Sequence, residues 1–309
     1  MIAIFLQTLP FFGLVGIGFF AGRSGFYSRA ANDALTRFVF FFALPAMLIG
    51  FAADLQIGEV FSWSFVAAYL FGTALVYAAA TGAAVMRRRG MAEAAVESQI
   101  AVIGNTGFLG IPMLTLLLGE AAIGPLLMML AVDLLVFATL FVILLSASRG
   151  GGLTPAVIGR ALLEPFRNPM VVAIGVGFIL AGLRVPLPDP VAEIVRILGA
   201  AATPCALFVI GGSLAHKSAE RLSVATWLSV CKLLLHPAAV AVMALVVFEV
   251  DRYAAGVMIS AAALPVAGNV YMLAQHYKVA PARASTAILV STIASILTIP
   301  AIVALAAAG

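Results

Sequence analysis

Two short stretches hold the residues whose types and spacing could do chemistry in this chain. One is Gly104-Asn105-Thr106-Gly107-Phe108-Leu109-Gly110-Ile111-Pro112, inside an apolar segment from about residue 92 to 118, and the other is Leu264-Pro265-Val266-Ala267-Gly268-Asn269. Gly, Asn and Pro interrupt helices, and in lipid every unpaired N–H or C=O costs several kcal/mol, so broken backbone survives only where it lines a cavity within the protein. Two breaks in corresponding positions of two halves point to a carrier's binding site. A helix that restarts at a break presents unpaired N–H groups and the positive end of its dipole, so two restarts converging at mid-membrane favour an anion. Gly104, Asn105 and Thr106 in the first stretch, with Pro265 and Asn269 in the second, are the candidate substrate residues. Gly104 is expected to allow the first break by its conformational freedom, since no Pro precedes Asn105. Kinked helices packing through small residues would carry the same composition, but two related breaks favour a site.

Two charges lie deep in apolar sequence. Asp133 and Lys232 are each some ten residues into a span, which at about 1.5 Å per residue puts them near the centre of a ~30 Å core. Each costs about 2.5–3.5 kcal/mol to insert, so function is the default expectation and mutual pairing the structural alternative. Asp133 is expected to pair with Lys232 in a water-filled cavity beside the breaks, to line the substrate site, and to serve as the one membrane-buried acid and proton carrier. His236, one turn beyond Lys232, is a third candidate for ion coupling. A sodium site needs several convergent oxygens, so a lone acid favours proton- or potential-driven movement. Catalytic patterns are absent: Ser213 in Gly211-Gly212-Ser213-Leu214 lacks the glycine an intramembrane protease would place after the serine, and His216 sits near a loop end. No His-Glu-x-x-His, Walker or Rossmann pattern occurs, so no enzyme, cofactor or metal is expected.

The elements that must position these residues are membrane helices. With 64% hydrophobic and 10% charged residues in 309, and a mean hydropathy of +1.17, the chain exceeds what a soluble core absorbs and suits a bilayer. Ten spans are expected, near 2–21, 36–53, 60–85, 92–118, 121–146, 169–184, 198–215, 222–248, 254–277 and 284–307. If they alternate, thirteen basic residues, among them Arg87, Arg89, Arg149, Lys217, Arg221 and Arg283, fall on one side against three, Arg184, Arg196 and Arg252, on the other. That places the first side in the cytoplasm and both termini outside, in a cell (inner) membrane. The same loops explain the basic pI without nucleic acid as a partner. The first span has no basic residue before it, unlike a cleavable signal peptide. Cys205 and Cys231 fall inside apolar segments and are expected to be free.

Sliding the chain on itself by 159 residues lays Pro10 on Pro169, Arg37 on Arg196 and Pro45 on Pro204, with Asn105 within one residue of Pro265. Five helices per copy is an odd number, so the copies are expected to be inverted: 1–146 and 169–309, joined by a cytoplasmic linker at 147–168.

The segments Arg37-Phe38-Val39 to Pro45, Asn105-Thr106 to Gly110-Ile111-Pro112, Leu207 to Leu214, Ala263-Leu264-Pro265, and Gln275-His276-Tyr277-Lys278-Val279 to Pro281 resemble the auxin efflux carrier family, which includes plant PIN proteins and bacterial permeases. The resemblance runs in order through nearly the whole chain. It implies an all-α polytopic fold similar to the bile-acid sodium symporters and NhaA, with an inverted 5+5 repeat and helices 4 and 9 crossing at their broken midpoints. Helices 1, 2, 6 and 7 would form a dimerising scaffold, and 3–5 with 8–10 a mobile transport domain. It also implies that Asn105 contacts a substrate carboxylate and that Pro265 is a crossover proline. Gly104 stands where plant members have Pro, which leaves the first break to glycine; Asp133 stands where a polar Gln is expected, and this second departure counts against auxin itself as the substrate.

The expected function is a secondary carrier moving a small organic anion by an elevator-like alternating-access mechanism. A sodium-coupled anion symporter is the alternative, and a non-transporting receptor or scaffold the third possibility. The implied partners are an organic anion, a dicarboxylate such as malonate or a hydrophobic monocarboxylate such as an indole acid, together with membrane lipid and a second copy of the chain.

Overall fold

A computed structural model describes residues 2–55, 61–148, 154–215 and 222–308. Apolar sequence without alternation leaves helix as the way to satisfy backbone groups in lipid, and the described elements are helices. They are α1 (Ile2–Arg23), α2 (Arg29–Ala53), α3 (Trp63–Met86), α4 (Met91–Val102), α5 (Thr106–Leu118), α6 (Glu120–Ser148), α7 (Pro155–Leu163), α8 (Pro169–Leu183), α9 (Asp189–Ala215), α10 (Leu222–Val247), α11 (Arg252–Ala262), α12 (Gly268–His276) and α13 (Pro281–Ala308). Side-chain oxygens of Ser28, Ser62, Asn168 and Asp251 cap the starts of α2, α3, α8 and α11, taking first-turn N–H groups that the helix leaves unpaired.

Among the described residues seven helices, α1, α2, α3, α6, α9, α10 and α13, are long and apolar enough to cross a membrane. An eighth candidate is the pair Ala161–Arg167 and Pro169–Leu183, bent by 76° where Pro169 starts α8. The remaining expected spans are not continuous helices: α4 stops at Val102 and α5 begins at Thr106, while α11 stops at Ala262 and α12 begins at Gly268. The stretch expected as a linker between halves carries a helix, α7.

Among the described residues five π-helical turns widen the helices, at Val39–Ala43, Thr106–Gly110, Asp133–Phe137, Cys231–Leu235 and Met243–Val247. Such turns occur often at functional sites because they shift the side-chain register and loosen the carbonyl ladder. Asp133 opens one, and Lys232 lies in another.

Helices pack in two sets. α1 lies along α9, and α2 lies against α8 and α9. Gly18 and Gly211 make the first contact possible, since a Cβ on either would run into the backbone of Phe208 or Val15. Gly177 does the same for α8 against Ala52 of α2. In the second set α3 packs on α4 and α10, and α13 on α10, α11 and α12. Cys205 and Cys231 are both free.

Candidate functional site

The site is built from the two interruptions. The Asn105 N–H donates to the Pro265 carbonyl at 2.9 Å, and the Ala267 N–H donates to the Ile103 carbonyl at 3.1 Å, so the broken strands run antiparallel and pair Gly104 with Val266. Each break thereby satisfies backbone groups the other exposes, which is how unwound chain is tolerated in an apolar interior. A further N–H, that of Val266, goes to Ser291 Oγ on α13 at 3.1 Å. Among the described residues no acceptor lies on the N–H groups of Thr106, Gly107 and Phe108 at the start of α5, or of Gly268 and Asn269 at the start of α12. These are the orphan first-turn donors of two helices, carrying the positive ends of their dipoles.

Asn105 is buried at the head of α5 and its side chain caps nothing there. The Asn269 Oδ1 is buried without a hydrogen-bond partner. Gly268 is exposed, and Phe108 and Asn269 are half-buried, so the crossover opens on that side. Thr106 and Pro265 are buried within it. Gly104 does not have a positive φ, which among the described glycines belongs to Gly25 and Gly119. Its conformational freedom is therefore not what the break uses. A Cβ at 104 would stand 3.3 Å from both Cε and Nζ of Lys232, so glycine there lets the lysine end lie close against the break. Gly110 is similarly pressed by Leu264 across the crossover.

The charges take positions different from those expected. Asp133 and Lys232 are 3% and 0% exposed, yet no ion pair within 4.0 Å joins them among the described residues. Asp133 Oδ1 accepts a hydrogen bond from the Tyr69 hydroxyl at 2.6 Å, and its Oδ2 is buried without a partner. Lys232 Nζ donates to the Ala262 carbonyl at the end of α11 and lies 3.3 Å from His236 Nδ1. His236 Nε2 meets Thr73 Oγ1 at 3.0 Å. The expectation of a direct carboxylate–ammonium pair is thus corrected: the ammonium is turned onto a carbonyl at the negative end of α11, while the carboxylate is held by a tyrosine hydroxyl on α3. His236 does join Lys232. Tyr69 and Thr73, one turn apart on α3, line the same buried region.

A second correction concerns Asp133 as the one buried acid. Glu97 on α4 is fully buried between Arg87 and Arg283, and Arg283 Nη1 reaches its Oε1 at 2.6 Å. Arg283 also pairs with Glu93 at 3.1 Å, and Arg89 with Glu93 at 3.7 Å. Arg87, Arg89 and Arg283, expected among the loop cations, close an ion network here. Beside it Gln99 donates from Nε2 to the Phe137 carbonyl at 2.6 Å, on the π-turn that Asp133 opens. Ser213 accepts from Asn32 Nδ2 at 2.9 Å, a packing role, and His216, Arg149, Lys217 and Arg221 lie outside the described residues.

Comparison with known proteins gives two findings. A protein-family model described as Membrane transport protein matches residues 3–303. A Rhizobium meliloti (strain 1021) protein named "Putative malonate transporter" is 28% identical over 305 residues, covering 98% of this chain and 95% of its own length.

Proposed function

The chain belongs to the membrane transport protein family, that of the auxin efflux carriers, and is a transporter and not an enzyme; within it we propose a secondary carrier for a small carboxylate, with a dicarboxylate such as malonate as the first substrate to try. The observation that carries this proposal is the crossover. Two helix starts with acceptor-free N–H groups meet beside Asn105 and the unpartnered Asn269 Oδ1, and such a start is a ready anion site. The provisional name of the Rhizobium meliloti relative supports the same chemistry.

In this proposal α4 with α5, and α11 with α12, are each one span interrupted at the crossover, which raises the eight candidates to ten. The order α1, α2, α3, α4–α5, α6 is matched by α8, α9, α10, α11–α12, α13, with the break in the fourth place of each. That order supports an inverted 5+5 repeat. The glycine-packed set α1, α2, α8 and α9 serves as the scaffold, through which two copies pair, and the rest as the body that carries substrate. Movement is elevator-like and driven by a proton or the membrane potential, with Asp133 as the titrating group and Lys232 and His236 near it. Both termini lie outside the cytoplasm, so a reporter fused after Gly309 is expected to be externally accessible.

Uptake of radiolabelled malonate into proteoliposomes, with competition by mono- and dicarboxylates, tests the proposal. Saturable uptake inhibited by dicarboxylates is expected. Absence of uptake for every carboxylate tried, by protein that is folded and inserted, would leave a receptor or scaffold.

A further inference from the structure

The end of α11 leaves one carbonyl that the backbone does not satisfy. Pro265 has no N–H for the Ala261 carbonyl, which takes the Leu264 N–H instead at 3.1 Å, and the Val266 N–H that would have served Ala262 is diverted to Ser291. The Ala262 carbonyl is therefore an orphan at the negative end of a half-helix dipole. In carriers built on broken helices, unwound carbonyls and half-helix C-terminal ends are where a coupling sodium ion or proton is held. Here Lys232 Nζ occupies that position: it donates to the Ala262 carbonyl, its second neighbour is His236 Nδ1, and it abuts Gly104 of the other break. Asp133 does not pair with it within 4.0 Å. The ammonium is held by a carbonyl and an imidazole, as a bound monovalent cation would be.

We propose that Lys232 is a tethered cation filling the coupling-ion position at the end of α11, so that the protein needs no sodium, and that removing its ammonium opens a site for a small monovalent cation. The ligands of that site would be the Ala262 carbonyl and His236, with the partnerless Asp133 Oδ2 available nearby. A lysine fixed by its backbone cannot leave the site as a free ion does. This extends the carrier proposal by naming what replaces the coupling ion.

The test is thermal unfolding of purified Lys232→Ala in lithium, sodium, potassium or ethylammonium chloride, against N-methylglucamine chloride at equal ionic strength. For the variant, at least one small cation is expected to raise Tm saturably by about 2–4 °C, whereas the unmodified protein shifts by less than about 1 °C. The stabilising cation should also stimulate malonate uptake by the reconstituted variant. The unfolding arm does not depend on transport: if neither protein moves any carboxylate, the carrier proposal fails while the cation result stands. A folded variant whose Tm is the same in every salt would overturn the inference. If Lys232→Ala does not fold, Lys232→Gln is measured in its place. If that also fails, uptake by the unmodified protein decides, with sodium stimulation overturning the inference and equal rates in sodium and N-methylglucamine supporting it.

Discussion

The seam between α1 and α9 and the junction of α4 with α13 hold helices together by opposite means. Along the seam Gly18 and Gly22, four residues apart on α1, face Phe208, Gly212 and Ala215, while Gly211 of α9 lies on the backbone of Val15. At the junction Arg283, the third residue of α13, reaches Glu97 in α4, with Arg87 from the end of α3 on its other side. Lipid supplies no hydrophobic drive between helices, so association relies on close packing or on polar contacts. A glycine seam is smooth and uncharged. An ion network, by contrast, holds only one arrangement, because a buried charge that loses its partner is costly. In the proposed carrier this contrast would separate a scaffold from a body that moves as a unit, with α3, α4 and α13 in the latter.

The largest effect is expected at the ionic junction. Glu97→Ala leaves Arg283 buried against Glu93 alone and should destabilise the protein by about 3–5 kcal/mol, read as a lowered Tm in detergent. Glu97→Gln, which keeps the shape, should cost less. In the seam, Gly211→Ala sets a methyl group on the Val15 carbonyl and forces the helices apart, an overpacking cost of about 1–3 kcal/mol. If Glu97→Ala proves no more harmful than Gly211→Ala, the junction is solvated in the membrane and the contrast between the two regions collapses.

Sequence alone located the breaks because Gly, Asn and Pro are conspicuous in apolar segments, and it found Asp133 and Lys232 because charges at mid-span are rare. It did not find Tyr69 or Thr73. Both are unremarkable residues in an apolar helix, and only folding brings Tyr69 to Asp133 and Thr73 to His236, 163 residues away. Glu97 escaped for a related reason: its partner Arg283 is 186 residues distant and, read as a loop cation, was explained already by topology. Lys232 was legible as a buried charge but its partner was not, since a carbonyl freed by a helix break has no signature in residue type. Gly104 was legible as part of a break, while its contact with Lys232 required the packing.

Asn105 stands at the head of α5, whose Gly107 faces Met170 of α8. Asn105→Ala removes a side chain that caps no helix, so its stability should change little. If the amide orients a carboxylate, affinity should fall by about 1–3 kcal/mol, one charge-assisted hydrogen bond. Titration with malonate checks this, and unchanged affinity would reduce the crossover to a structural kink.

The smallest effect on fold and affinity, and the most specific, is expected for Asp133→Asn. The amide oxygen can still accept the Tyr69 hydroxyl, so the contact that holds the side chain survives. Asn has the shape of the protonated acid and cannot ionise. If an anion enters the crossover together with a proton on Asp133, deprotonation at higher pH adds a second negative charge near the substrate, and uptake by the unmodified protein falls as pH rises. The variant lacks that charge at every pH, so its uptake should hold steady across about pH 5 to 8 and match or exceed the parent at the alkaline end. Tyr69→Phe separates position from titration, since it removes the hydroxyl but leaves the acid able to ionise, and the slope with pH should persist. Should Asp133→Asn keep the parent's pH profile, Asp133 is a structural partner of Tyr69, and the driving force lies with the membrane potential acting on the fixed charge of Lys232.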